Sequence, residues 1–314
     1  MKATTKLAAL AAAALALSSC GTTDAARLAS SWTTLGNTWA DLGYWDKAGL
    51  AWSEALRLDP TQAVAGYNLA RALAEAGKYD EAVQAADAVL AKDPDNASVL
   101  AVKAYALHKA GRNAEAAAVY RRVVVLNAED TASSFNLAVL LEEGGQLDEA
   151  LARYLAILDA KPDDAAASLR AGVVLDALGR SEEAVPYLER YTVATPASLE
   201  AKRVLADVCE RAGLYMKSME ALLAVLAGAK DDADAWFQLG RLRLTVADDA
   251  EGGLDALAKA AAAGFDDEDA ARTLLDTPGL PERQRVEAAL APVFDKPDDQ
   301  TDPDDDTPAE EGEL

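Results

Sequence analysis

Residues 29–62 read ASSWTTLGNTWADLGYWDKAGLAWSEALRLDPTQ, and this stretch sets the plan of the chain. Its landmarks are Trp32, Leu35, Gly36, Trp39, Gly43, Trp45, Ala48, Trp52, Ala55, Asp59 and Pro60. Steps of 34 residues carry Gly43 onto Gly77, Gly111, Gly145, Gly179 and Gly213, and Ala48 onto Ala82, Ala116, Ala150 and Ala184. Pro60 maps onto Pro94, Ala128, Pro162 and Pro196. A fixed period of this length, without insertion or deletion, marks a chain of stacked repeats in which each unit buries its apolar face on the next.

Within one period, the spacing predicts two antiparallel helices, 31–42 (A) and 46–58 (B), with Gly43 stopping the first and Asp59-Pro60 ending the second. The repeats fall at 29–62, 63–96, 97–130, 131–164, 165–198, 199–232 and 233–265. Pro186, in the second turn of its B helix, predicts a slight kink. In the sixth repeat Ser218 stands where alanine is usual. In the seventh, Ala247 replaces the turn glycine, 248–253 carries about one extra residue, and helix B is predicted at 254–263. The repeat fails after Phe265; 266–294 reads as a helical cap, with Asp266 and Asp267 capping a helix at 268–275 and Pro281 opening another at 282–293. Residues 295–314 hold ten acidic side chains, one lysine and three prolines, so an acidic disordered tail is expected.

The landmark pattern resembles the tetratricopeptide repeat: Trp, Leu-Gly, a turn glycine, then alanines and a closing proline. The resemblance implies an all-α, right-handed α-solenoid of about seven helix-turn-helix repeats with a C-terminal capping helix pair. It implies a binding scaffold, and the four tryptophans of the first repeat fall at packing positions.

The N-terminus, MKATTKLAALAAAALALSSC, has Lys2 and Lys6 before an apolar run at 7–17 too short to span a bilayer, which reads as a signal peptide over 1–19. Leu17-Ser18-Ser19-Cys20 resembles the bacterial lipobox. That resemblance implies lipidation of Cys20, with acyl chains such as palmitate as a durable membrane anchor, and a tether at 20–28. Gly21 after the cysteine favours the outer membrane, facing the periplasm. Cys209 is expected to be a small buried hydrophobe.

The formal net charge of −23 argues against nucleic acid, whose binding needs clustered Lys and Arg. Two cysteines and one histidine, widely scattered, do not make a usual zinc site. The glycines recur once per turn rather than as a phosphate cradle, and there is no Gly-x-Ser-x-Gly nucleophile motif. No enzyme activity, metal, cofactor or small-molecule substrate is therefore expected.

In the family the concave face is lined by helix A, which points to Asn37, Tyr67, Asn68, Arg71, Tyr105, His108, Phe135, Asn136, Arg170 and Arg203 as a groove for a protein or peptide partner. Asparagine amides pair with peptide backbone, and tyrosine and arginine anchor interfaces. The residues from repeats two to five are expected to face one groove. The family's carboxylate clamp is not reproduced: Asn37 and Asn68 match its amides, but Thr33, Ser98 and Val102 occupy its basic positions. The function these features imply is a scaffold or adaptor in the bacterial envelope, for example in envelope assembly; the alternative is a structural spacer lipoprotein with no groove ligand.

Overall fold

The computed structural model describes residues 25–294; the signal segment 1–19, Cys20, the start of the tether and the tail 295–314 lie outside the described residues. Sixteen helices and no strand occur among the described residues. The chain divides into two compact units, 1–170 and 171–314.

The first unit holds α1 (Ala25–Asp41), α2 (Trp45–Leu58), α3 (Ala63–Glu75), α4 (Tyr79–Leu90), α5 (Ala97–Lys109), α6 (Asn113–Leu126), α7 (Thr131–Glu143) and α8 (Leu147–Ala160), with the start of α9 (Ala165–Ala177). Each helix from α1 to α8 packs on the next, and α3 also touches α5, so successive A helices lie side by side. The second unit holds the end of α9 and α10 (Ser181–Ala194), α11 (Leu199–Arg211), α12 (Tyr215–Gly228), α13 (Ala233–Thr245), α14 (Ala250–Ala262), α15 (Glu268–Leu275) and α16 (Arg283–Phe294). There α10 to α14 pack consecutively, and α16 closes the stack against both α14 and α15. Each unit is thus a run of α-solenoid helix pairs.

The glycine ladder has a conformational cause. Gly43, Gly77, Gly111, Gly145, Gly179 and Gly213 all have φ between +72° and +83°, the left-handed region that costs any residue with a Cβ. At the first turn the Tyr44 N–H donates to the Trp39 carbonyl at 2.9 Å and the Gly43 N–H to Ala40 at 2.9 Å, closing a Schellman-type helix end. The alanine ladder has a packing cause: Ala48, Ala82, Ala116, Ala150 and Ala184 are fully buried where helix B meets helix A. Ser218, the sixth member, is also buried, and its hydroxyl has no hydrogen-bond partner.

The repeat junctions carry a further device. Asn96, Asp130, Asp164, Ser198 and Asp232, again 34 apart, each accept a backbone N–H three residues on through the side chain. A helices from the third repeat onward are therefore capped by the last residue of the repeat before.

Several boundaries differ from the sequence expectation. The first helix starts at Ala25 rather than near residue 31, so the C-terminal end of the 20–28 tether is helical. In the seventh repeat the left-handed position moves from the ladder site Ala247 to Asp248 (φ +53°), which absorbs the extra residue. Helix α14 then begins at Ala250, four residues earlier than expected, because Asp249 caps it by accepting from the Gly252 N–H at 3.0 Å. Asp267 caps α15 as expected, accepting from the Ala270 N–H at 2.9 Å. Pro281 lies just before α16 rather than in its first turn. Helix α10 runs unbroken through Pro186.

Candidate functional site

The first unit's A helices frame a pocket of about 410 Å³. Tyr67, Arg71 and Glu75 come from α3, Ser98 and Tyr105 from α5, and Ser133 and Asn136 from α7. Asp130, the α7 cap, and Tyr120 of α6 complete the wall. Tyr120 is buried, and burial pushes its hydroxyl well above the ordinary tyrosine range; it accepts a hydrogen bond from Asn136 Nδ2 at 3.1 Å. Lys109 Nζ lies 5.7 Å from the centre of the Tyr105 ring. Arg71 is exposed and has no ion pair among the described residues.

The expectation of one groove shared by repeats two to five is met only in part. Tyr67, Arg71, Tyr105 and Asn136 share this pocket, but Phe135 lines a smaller one of about 320 Å³ with Thr131, Asn136 and Ile157. The Phe135 ring packs edge-on to Tyr154, centroids 5.6 Å apart.

Other residues assigned to the groove are occupied inside the protein. Asn37 Oδ1 accepts from Trp52 Nε1 at 3.0 Å and from Asn68 Nδ2 at 2.8 Å, so the Asn37 oxygen is filled and one bond ties Asn68 to it. Arg170 Nη1 donates to Glu142 Oε1 at 3.1 Å, while the Tyr154 hydroxyl donates to Glu142 Oε2 at 2.8 Å. Burial first, and the hydrogen bond to Glu142 second, raise the Tyr154 hydroxyl far above its ordinary value. Arg203, in the second unit, is held by Asp232, with an Nε–Oδ2 distance of 3.1 Å. His108, near the end of α5, is half-buried and lines neither pocket.

The tryptophan expectation divides in the same way. Trp52 is buried, and Trp32 and Trp39 are partly buried against the same core. Trp45 is 48% exposed, because it opens α2 and projects from the helix start beside exposed Tyr44. Cys209 is fully buried as expected, and burial pushes its thiol up to about 11, which leaves it inert.

The second unit has a larger pocket, about 520 Å³, that the sequence reading did not single out. Arg203 and Asp207 of α11, Asp234, Phe237, Gln238 and Arg241 of α13, and Phe265 and Asp267 near the cap line it. The Phe237 and Phe265 rings stack 4.1 Å apart at 8°. Positions of Arg203, Asp207, Phe237, Gln238 and Arg241 in their repeats match those of Tyr67, Asn68, Arg71 and Tyr105, which was the available signal.

The sequence matches the tetratricopeptide repeat family over residues 67–134, 135–198 and 170–232, together more than half of the chain. This chain belongs to the tetratricopeptide repeat family, whose members serve as protein-interaction scaffolds. Among solved structures it is similar to YrrB, a tetratricopeptide-repeat protein described as having an unusual peptide-binding site, at 25% identity and a TM-score of 0.50, covering 55% of this chain and 89% of that one. It is similar in fold to a tetratricopeptide repeat protein from Parabacteroides merdae (18% identity, TM-score 0.53, 78% of this chain and 97% of that one). MamA is also similar in fold, at 19% identity and a TM-score of 0.50, over 55% of this chain and 94% of MamA. No curated protein matches the sequence.

Proposed function

We propose that this chain is a non-enzymatic protein-interaction scaffold, lipid-anchored in a bacterial envelope, that holds a peptide segment of a partner on its A-helix face. The observation that carries this reading is the Tyr67–Arg71–Tyr105–Asn136 pocket, which joins aromatic surface, an amide and an arginine with no ion pair among the described residues. Aromatic and arginine side chains in a desolvated pocket are the usual anchors of an interface. The peptide-binding site of YrrB supports a peptide as the occupant. Cys20 after Leu17-Ser18-Ser19 supports a lipid anchor, and Gly21 supports the outer membrane as its location.

The test compares full-length protein with a Tyr67→Ala/Arg71→Ala/Tyr105→Ala variant in crosslinking and capture from envelope extracts. Partners captured by the wild type are lost from the variant; an identical partner set for both rejects the pocket. For the anchor, Cys20→Ser shifts the protein from the membrane to the soluble fraction, and unchanged membrane association rejects lipidation. A spacer without a groove ligand is the second reading, favoured by the internal pairing of Arg170, Arg203 and Arg241.

A further inference from the structure

The second unit's pocket carries an inference of its own, set by which charges around it are already neutralised. Three arginines stand at or beside it, and each is committed. Arg203 is paired with Asp232. Arg241 Nη2 lies 2.6 Å from Glu210. Arg211 makes a two-pronged contact with Asp176, Nε–Oδ1 3.1 Å and Nη2–Oδ2 2.7 Å. The carboxylates facing the cavity have no such partners. Asp207 makes no ion pair among the described residues; it accepts from the side-chain amide of Gln238 at 3.3 Å and feels the charge of Arg211, whose guanidinium is bound to Asp176. Asp234 makes no ion pair among the described residues, and Asp267 is engaged only as the α15 cap.

Burial raises the Asp207 carboxyl above its ordinary value, outweighing the Gln238 hydrogen bond and the Arg211 charge, which act the other way. Asp234 lies in the first turn of α13 and Asp267 caps the start of α15. The floor between them is apolar: the stacked Phe237 and Phe265 rings, with Leu222.

We infer that this pocket receives a lysine or arginine side chain of a partner protein, its aliphatic stem over the Phe237–Phe265 floor and its charged head among Asp207, Asp234 and Asp267. An apolar floor with a rim whose two arginines are already neutralised and whose three aspartates are not is the complement of a side chain that is apolar along its length and cationic at its tip. A metal ion does not satisfy the same geometry, because among the described residues no three His, Cys, Asp or Glu side chains converge closely enough to hold one. The inference rests on the protein-binding reading above, but on separate residues in the other unit.

The test uses the full chain and a dye-labelled nonapeptide carrying one lysine and one arginine, with a twin carrying norleucine and citrulline in their places. Binding is followed by fluorescence anisotropy at physiological salt, where contacts between distant exposed charges are screened. The cationic peptide binds the wild type about tenfold tighter than its twin, one such charge-assisted contact. Asp207→Asn/Asp234→Asn, which keeps the shape of both side chains, removes that difference. Asp148→Asn/Asp159→Asn, the same charge change at two exposed positions of α8, leaves it intact. Equal affinity for the two peptides overturns the inference, as does equal weakening by the two double variants, which would show attraction to a −23 chain rather than to this pocket. If partner capture still depends on Tyr67, Arg71 and Tyr105 while these peptides do not discriminate, this inference alone falls. The opposite pattern removes the pocket of the first unit and leaves this one standing.

Discussion

The pocket at Tyr105 and the pocket at Phe265 use corresponding positions of the repeat, yet only the first leaves an arginine free. At Tyr105 Arg71 makes no ion pair among the described residues, nor does Glu75 on the same wall. At Phe265 the cations are consumed by Asp232 and Glu210, and the carboxylates Asp207 and Asp234 remain. A repeat scaffold fixes where side chains point, while selectivity comes from which of them lack an internal partner. Listing the residues on a face does not reveal that; pairing them off does.

The largest effect expected on this contrast comes from collapsing one pocket's wall. A Cβ on Gly240 would lie 2.9 Å from Leu257 and 3.0 Å from the Gly253 carbonyl, so α13 and α14 touch through backbone. Gly240→Val should destabilise the second unit by roughly 3 kcal/mol, seen as faster amide hydrogen exchange across 233–262. Ordinary protection there would mean that the two helices tolerate separation. Next in size is Glu142→Ala, which strands the buried Tyr154 hydroxyl and frees Arg170. A loss of about 2 kcal/mol in urea unfolding is expected, and a loss near zero would show that water replaces the carboxylate.

A smaller effect separates the two arginines directly. Arg203→Ala should cost about 1 kcal/mol, because the mostly buried Asp232 loses its ion partner. Arg71→Ala should change stability by less than about 0.5 kcal/mol and act on binding alone. Equal costs would erase the distinction between a committed and an available arginine.

The smallest effect has the reverse sign. Asp207 has its carboxyl raised mainly by burial, so its ionised form is disfavoured in the folded protein. That penalty is present above the folded value and relieved as pH falls through it. Asp207→Asn should therefore leave thermal stability at neutral pH unchanged or slightly higher, and flatten its dependence on mildly acidic pH. A clear loss of stability would mean that the carboxylate serves the fold.

The helix pairs were legible because two physical demands recur in register: a left-handed turn residue and a small residue at the helix crossing. The seventh repeat was harder to read. There Asp248 takes over the glycine's conformation and Asp249 restarts the helix early, and neither residue advertises this in a period-34 alignment. The site was less legible, since reading helix A positions repeat by repeat hides their partners. Asn37 with Asn68 and Asp207 with Gln238 are 31 residues apart, and Glu142 with Arg170 is 28 apart. These are neighbours across one repeat boundary, as are Arg203 and Asp232 at 29, so a search at offsets of 28 to 31 would have found these committed side chains. Tyr120 was missed for another reason: it belongs to helix B and reaches the pocket from behind.

The turn glycines have one more consequence. At Gly43, Gly77, Gly111, Gly145, Gly179 and Gly213 nothing lies within 4 Å of where a Cβ would stand, so only the sign of φ excludes a side chain. The ladder therefore selects for handedness rather than smallness. A D-alanine introduced by chemical ligation at any one of these turns would find its own preferred conformation, with room for its methyl group, and would narrow the unfolded chain's options.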